Sequence, residues 1–470
     1  MYAQGSDCAQ LDAERGSVMN THEIKDLLGA SFACACGRTH ETHFSRMILE
    51  KGAIRQIPGL LQELGKSHPY LICDTHTCEA CAKDVFAVLD AASCSYEKII
   101  LESPEVGDLP ADEYAFGSVC MAFPKETDLV ISIGTGTIND LGRYLSYITG
   151  LPFMLVLTAP SMDGCVSGVA PLIQNHMKIT FPAHAPIALV GDLDVLAAAP
   201  MPMLSAGVGD ILGKYNCLTD WKLSHLVNDE YYCETIEGIM RDAIDKTMQA
   251  AEHLTERKAE DVMTLTEGLV LSGIAMDFTG NSRPASGAEH HISHFFEMQF
   301  LFDGIPAVLH GTKVGIGTVM MLRLYNELAK MEKPDFAALL AGIDRRPSFD
   351  EWAEEMNRVY RQGAPMIIAL EKKAGKNDPE KLRKRLSKIE ERWDLIQKLA
   401  ASAPDASLIE DRLKALGAPV RPDQVGVSRQ YVEDGILYAK ELRDRYTILQ
   451  FLWDIGKLDE MKELLLAAFA

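Results

Sequence analysis

A mostly parallel α/β domain followed by an all-helical domain is the architecture that this sequence predicts. Two observations carry it. Short apolar strands alternate with amphipathic helices from about Thr42 to about residue 200. After Asp192 the strand pattern stops, and apolar residues recur at intervals of three and four, as Leu382, Leu386, Ile389, Trp393, Ile396 and Leu399 do in 379–400. The expected division is an N-terminal arm (1–40), a sheet domain (41–200) and a helical domain (201–470) ending in a helical extension.

The arm reads as loose over 1–30, closing in a short helix around Thr21 to Leu28. HFSRMILEKGAI then reads as a strand and turn, and IRQIPGLLQELGKS as an amphipathic helix. Tyr70-Leu-Ile-Cys-Asp74 is a strand ending in an acid. Such an acid either accepts hydrogen bonds from the two hydroxyls of a ribose or caps the helix that follows. KIILES (98–103) is another strand. DLVISIG (128–134) is apolar and β-branched, as a strand covered on both faces should be. It runs into Gly134-Thr-Gly136-Thr137-Ile-Asn-Asp140, and a helix continues through Tyr144 to Ile148. Glycines let the backbone approach a ligand, and the free N–H groups of a helix start favour phosphate; a lone G-x-G also marks a mere tight turn. The sheet is Rossmann-like but lacks G-x-G-x-x-G, because Asn139 stands where the third glycine would be.

PFMLVLTAP (152–160) is the next strand, and Ser161-Met-Asp163-Gly164-Cys-Val-Ser167 leaves its carboxyl end. Ligands of open sheets collect at those ends, which places Thr158, Ser161, Asp163 and Ser167 in one crevice with the glycine turn. IALVGDLDVLAAAP closes the sheet pattern. In MLSAGVGDILGKYNCLTDWKL, Asp210 follows Gly207 and Gly209, with Lys214 four residues on. Asp210 is either an N-cap or a functional acid.

Arg283 to Lys313 is the chemically densest stretch, holding four of the thirteen histidines. His290 and His294 share a helix face, one turn apart. His310 follows after a loop and a new helix start. Neutral imidazoles gathered this way suit a borderline divalent metal, although the spacing matches no compact zinc signature and helix-capping histidines are the plainer reading.

Formal net charge is −21, with Lys+Arg 46 against Asp+Glu 67, which argues against nucleic acid or an anionic membrane as partner. A phosphorylated small molecule stays compatible, because one local cation pair can outweigh the global field. No apolar run reads as the roughly 18–20 residues of a membrane span, and the N-terminus lacks a signal-peptide core. The expectation is a cytoplasmic protein. Eleven cysteines without a scaffold rhythm fit reduced thiols. CACGRTH (Cys34, Cys36, His40) and TCEAC (Cys78, Cys81) are the two clusters from which a structural zinc would be built, against the alternative of buried, idle thiols.

Five motifs in order then carry a resemblance: GTGTIND after an apolar strand, TAPSMDGxxS, GVGDxLGKY, SGAEHxxSH and LHGxxVGIG. Together they resemble the sn-glycerol-1-phosphate dehydrogenase family, within the superfamily of glycerol dehydrogenase and dehydroquinate synthase, over about residues 40–325. The segments GAPVRPDQVGVS and RDRYTIL resemble the bacterial branch. The resemblance implies a dehydroquinate synthase-like fold and a homodimer. It implies one divalent metal, zinc or nickel, on Asp210, His290 and His310. His294 would contact substrate and pass a proton, Asp163 would bind the substrate's hydroxyl end, and Asp210 would lie near it. Gly134, Gly136, Thr137, Asp140, Thr158, Ser161 and Ser167 would hold NAD(H), or NADP(H), with Asp74 on the adenosine ribose. Thr135 interrupts the family's glycine run, Arg143 stands where lysine is common, Thr312 replaces a frequent glutamate, and His291 is an extra imidazole.

The implied reaction is reversible hydride transfer between NAD(P)H and dihydroxyacetone phosphate, giving sn-glycerol 1-phosphate. Asp74 would repel a 2′-phosphate, which favours NADH. Lys214, Arg283 and Lys313 are candidates for the substrate phosphate, with Arg283 first because arginine is the better bidentate clamp. Alternatives in the same fold are a glycerol dehydrogenase and a dehydroquinate-synthase-like cyclase; outside catalysis, a nucleotide- or metal-binding regulator.

Overall fold

The structure, a computed structural model, describes residues 23–104, 109–175 and 177–469. Two short strands, β1 (Ser31–Ala33) and β2 (Thr39–Glu41), pair as an antiparallel hairpin. The main sheet draws on β3 (Arg46–Glu50), β4 (Pro69–Asp74), β5 (Glu97–Leu101), β6 (Leu129–Gly134) and β7 (Phe153–Leu157). A second hairpin follows, β8 (Val169–Gln174) with β9 (Met177–Pro182), and β10 (Ala188–Asp192) completes the main sheet. Its order is β3-β10-β7-β6-β4-β5, and every neighbouring pair is parallel.

Each central strand divides its side chains between two cores, because alternate residues point to opposite faces. Tyr70, Ile72, Val130, Leu155 and Leu189 pack with Leu141 and Leu145 of helix Gly136–Thr149. Leu71, Cys73, Ile131, Val156 and Val190 pack with Ile57, Leu60, Val85 and Leu89 on the other face. Both faces being covered explains why β6 is apolar at nearly every position.

The chain steps from β4 outward to β5, returns to the far side of β4 as β6, and continues through β7 to β10. The winding therefore reverses between β4 and β6. Ligands of such sheets bind outside the carboxyl ends of the strands at that reversal. Asp74 ends β4 and Gly134 ends β6.

Among the described residues no strand follows Asp192. Helix His310–Leu328 packs against Met201–Leu212 on one side and Ala288–Asp303 on the other. They meet backbone to backbone. A Cβ on Gly311 would lie 1.9 Å from the Ala206 carbonyl oxygen, and one on Gly317 would lie 2.6 Å from that of Glu289. The glycines of the HGTKVGIG run are thus contact points of helix His310–Leu328 with both of its neighbours.

One expectation changes. The β8–β9 hairpin lies outside the strand–helix alternation read from the sequence. One helix, Ala259–Thr279, is in fact long and apolar enough to cross a membrane, with a mean hydropathy of 1.2; it is a core helix, 72% of that window being buried within the protein. Most of the N-terminal arm, including Thr21, lies outside the described residues; the helix that follows it spans Ile24–Leu27.

Candidate active site

A cavity of about 1170 Å³ opens between the carboxyl ends of the sheet and the helical part. That exceeds the about 300–1,000 Å³ usual for one drug-sized ligand, leaving room for a dinucleotide beside a small substrate. Gly136, Thr137, Asp140, Thr158, Ser161 and Ser167 line one side. Gly134 does not; a Cβ there would meet Ile138 Cβ at 2.7 Å, so its absence lets strand and helix close up. Gly136 has nothing within 4 Å of where its Cβ would stand, which leaves open space at the helix start. The first N–H groups of helix Gly136–Thr149 have no intrahelical partner and suit a phosphate. Thr135 and Ser161 hydroxyls lie 3.2 Å apart across the turn.

Asp74 lines the same cavity. It also caps the helix after β4: Oδ1 accepts the Thr77 N–H at 2.7 Å and its hydroxyl at 2.9 Å. The cap fixes the carboxylate, so the two readings of this acid are compatible. Burial raises Asp140 to about 7, against the opposing pull of Arg143. Arg143 is wholly buried and donates to Ser167 Oγ and the Val169 carbonyl at 2.7 Å, and to the carbonyls of Gly164 and Cys165. It ties the loop after β7 together.

On the opposite side the structure brings Asp210, His290 and His310 together. One ligand atom from each lies within 4.8 Å of the others. His290 Nε2 stands 3.5 Å from Asp210 Oδ1, and the His290 and His310 ring centroids are 5.2 Å apart. The donor set fits a divalent metal: two imidazoles and a carboxylate, converging but not bonded to one another. Glu289, which the sequence reading passed over, accepts from His290 Nδ1 at 2.7 Å. That contact fixes the tautomer and leaves the Nε2 lone pair available to a metal. The signal was available as the Glu-His pair within SGAEH.

Asp210 is fully buried behind His290 and does not cap its helix; it sits near the C-terminal end of Met201–Leu212. Burial opposes its ionisation, but Lys214 and the two imidazoles hold it well below the usual carboxylate range. Lys214 Nζ donates to Asp210 Oδ1 at 2.9 Å and to the Ala285 carbonyl at 3.0 Å, and pairs with Asp163 Oδ2 at 2.7 Å. Asp163 also accepts from Ser272 Oγ at 2.7 Å and lines the cavity. His294 lies one turn from His290, its ring 5.6 Å from that of His310. Burial pushes its pKa down to about 3 despite Glu297, so the ring is neutral.

Two candidate phosphate clamps are placed elsewhere. Arg283 is buried and faces away from the cavity: Nε and Nη2 grip Glu230 at 2.8 and 2.5 Å, and Nη2 reaches the Tyr446 carbonyl at 3.0 Å. Lys214 is committed to its two aspartates. Lys313 does line the cavity, 3.2 Å from Glu297 Oε1. Lys178, Arg443 and Arg445 join it there, and the sequence reading named none of them. Glu297 also meets Lys178 at 2.9 Å. Neither Arg443 nor Arg445 pairs with a carboxylate among the described residues; Arg445 donates to Ser282 Oγ at 2.7 Å and the Ser286 carbonyl at 3.0 Å. Burial, then Arg283 and Arg443, lower Arg445 to about 9. His291 points elsewhere, and neither ring nitrogen meets a hydrogen-bond partner among the described residues.

A switch-point sheet facing a helical part that carries a clustered acid and imidazoles is a fold with known relatives. A family model described as iron-containing alcohol dehydrogenase matches residues 48–200. By structure the chain is similar to glycerol dehydrogenase from Schizosaccharomyces pombe (TM-score 0.55, 13% identity, 90% of this chain and 91% of that one). It is similar likewise to NADH-dependent butanol dehydrogenase A from Thermotoga maritima (TM-score 0.57, 14% identity, 89% and 96%). By sequence it is 33% identical to glycerol-1-phosphate dehydrogenase [NAD(P)+] from Halalkalibacterium halodurans, over 92% of this chain and 98% of the relative. The enzyme of that name from Bacillus subtilis is 30% identical over 90% and 94%. The chain belongs to the glycerol-1-phosphate dehydrogenase family.

Proposed function

We propose that this chain is an NAD(P)H-linked, metal-dependent oxidoreductase that interconverts dihydroxyacetone phosphate and sn-glycerol 1-phosphate. The observation that carries the reading is the convergence of Asp210, His290 and His310 on the cavity that also receives the glycine turn. The sheet part (41–200) would present the cofactor and the helical part (201–470) the metal and substrate.

Asp210, His290 and His310 would hold one zinc or nickel ion, with Glu289 keeping His290 in the ligating tautomer. The ion would polarise the substrate carbonyl, and the nicotinamide would supply or accept the hydride. Gly136, Thr137, Asp140, Thr158, Ser161 and Ser167 would seat the cofactor, with Asp74 at its ribose. Asp163 would take the substrate's hydroxyl end, held in place by Lys214 and Ser272. His294 would stand against the substrate, its Nδ1 turned to Glu297 at 3.3 Å. Arg443 and Arg445, cations without a carboxylate partner among the described residues, would bind the phosphate, with Lys313 beside them. That uncompensated positive charge favours a phosphorylated substrate over glycerol. The assembly proposed is a homodimer.

The test is a spectrophotometric assay of NADH oxidation with dihydroxyacetone phosphate, before and after chelation, followed by enantiomeric analysis of the product. Turnover should vanish on chelation, return with zinc or nickel, and give the sn-1 phosphate. Activity untouched by metal removal and by His290→Ala would falsify the metal role. Oxidation of glycerol in preference to its phosphate would make the chain a glycerol dehydrogenase, and bound NAD with no net turnover a cyclase.

A further inference from the structure

A second cluster of metal-binding side chains lies outside this cavity. Cys34, Cys36 and His40 come from the β1–β2 hairpin, and Cys233 from the residue just before helix Glu234–Ala250. Their four ligand atoms all lie within 4.8 Å of one another. Cys34 Sγ is 3.7 Å from Cys233 Sγ, Cys36 Sγ is 3.4 Å from His40 Nε2, and Cys233 Sγ is 3.5 Å from the same nitrogen.

Those separations distinguish between the chemistries open to three thiols and an imidazole. A disulfide needs its sulfurs at about 2.05 Å. A tetrahedral zinc with Zn–S near 2.3 Å and Zn–N near 2.0–2.1 Å sets sulfurs about 3.8 Å apart, and sulfur and nitrogen about 3.6 Å apart. The observed spacings follow the second pattern. His40 Nδ1 lies 2.8 Å from the Phe278 carbonyl oxygen, so it donates there and turns the Nε2 lone pair toward the sulfurs. The hairpin turn is built for the purpose. Gly37 adopts φ +84°, its N–H donates to the Cys34 carbonyl at 3.0 Å, and the Cys34 N–H donates to Arg38, which brings both hairpin thiols to one side. Cys78 and Cys81, the other cysteine pair in the sequence, are packed in the core beneath the main sheet and take no part.

We propose that Cys34, Cys36, His40 and Cys233 form a structural zinc site, independent of the site at Asp210. Binding would release the three thiol protons and take His40 neutral. The net charge of −1 left by three thiolates and Zn²⁺ lies beside Arg38, whose guanidinium stacks 3.4 Å from the Tyr231 ring centre. A hairpin of two three-residue strands is too short to hold itself. The metal fastens it to helix Glu234–Ala250 and, through His40, to the end of helix Ala259–Thr279. The next residues, Gly280 to Ser282, line the active-site cavity.

The experiment uses the full chain carrying His290→Ala and His310→Ala, so that the proposed catalytic ligands cannot hold the metal. Elemental analysis should find about one zinc per chain, with X-ray absorption showing three sulfurs and one nitrogen at zinc distances. Cobalt exchange should produce intense thiolate-to-metal absorption. Cys36→Ser and Cys233→Ser should abolish both signals and lower the melting temperature; the cobalt spectrum needs neither variant to fold. A folded double variant that contains no zinc after growth with zinc, and shows no thiolate–cobalt bands, overturns the proposal. So does recovery of a Cys34–Cys233 disulfide from the freshly purified chain.

Discussion

Lys214 joins Asp210 to Asp163: its Nζ lies 2.9 Å from one carboxylate and 2.7 Å from the other, with no exposure of the ammonium to solvent. Two acids of the site thus share a single buried cation. Lys214→Met keeps the length of the side chain and deletes the charge. Removing one partner of a buried pair costs about 3–5 kcal/mol. The urea midpoint should fall accordingly, and metal retention after dialysis should fall with it, because the two carboxylates would then compete for a proton. Wild-type stability and metal content in this variant would show that the acids do not depend on Lys214.

Arg443 and Arg445 are the cavity's cations without an acidic partner among the described residues. A hydrogen bond to a charged group contributes about 1.5–3 kcal/mol. Arg445→Met should raise KM for dihydroxyacetone phosphate by about 10- to 100-fold. Affinity for NADH, followed by fluorescence quenching, should hold. An unchanged KM would remove these arginines from the substrate site.

Asp74 combines a helix cap with a place in the cavity wall. Serine also caps well, so Asp74→Ser separates the two roles. The melting temperature should barely move, whereas the ratio of kcat/KM for NADPH to that for NADH should rise about tenfold or more, the equivalent of about 1.4 kcal/mol. If the ratio stays put, this carboxylate is a cap alone.

Glu441 anchors the segment that delivers both arginines. It is buried with Lys376 and Lys440. Burial works to raise its pKa, but the two lysines bring it down to about 2. A carboxyl depressed in the fold stabilises it above the unfolded value of about 4.3. That stabilisation fades as pH falls toward about 2. Glu441→Gln should therefore lose about 3–5 kcal/mol at neutral pH. Below about pH 4 the gap from the wild type should narrow, a trend that chemical denaturation across pH would follow.

The sequence was legible where a site is built from consecutive residues. Asp74 and Gly134 could be placed because a strand end is visible in a run of apolar residues, and parallel winding does the rest. His290 and Asp210 became readable only as parts of a pattern, since nothing local distinguishes a ligating acid from a cap. Arg283 was the natural clamp because it adjoins the histidines in sequence. In space Glu230 claims it, and Arg445, more than a hundred residues later, reaches the wall instead. The β8–β9 hairpin had a signal: Asn175 at φ 52° is a residue that tolerates the left-handed turn between two strands. Cys233 had none, since it lies 193 residues from its neighbour His40.

The Gly311 contact with Ala206 has a consequence for how this centre can change. The helices that carry Asp210 and His310 meet there through main chain, with no side chain on Gly311 to trim or enlarge. Ordinary drift in the surrounding apolar residues leaves that gauge untouched. A methyl group at Gly311 would force the two helices apart in one step, so the position tolerates no graded variants. Selectivity can evolve at the far wall, on the loop of Arg443 and Arg445, while the gap between acid and imidazole stays locked.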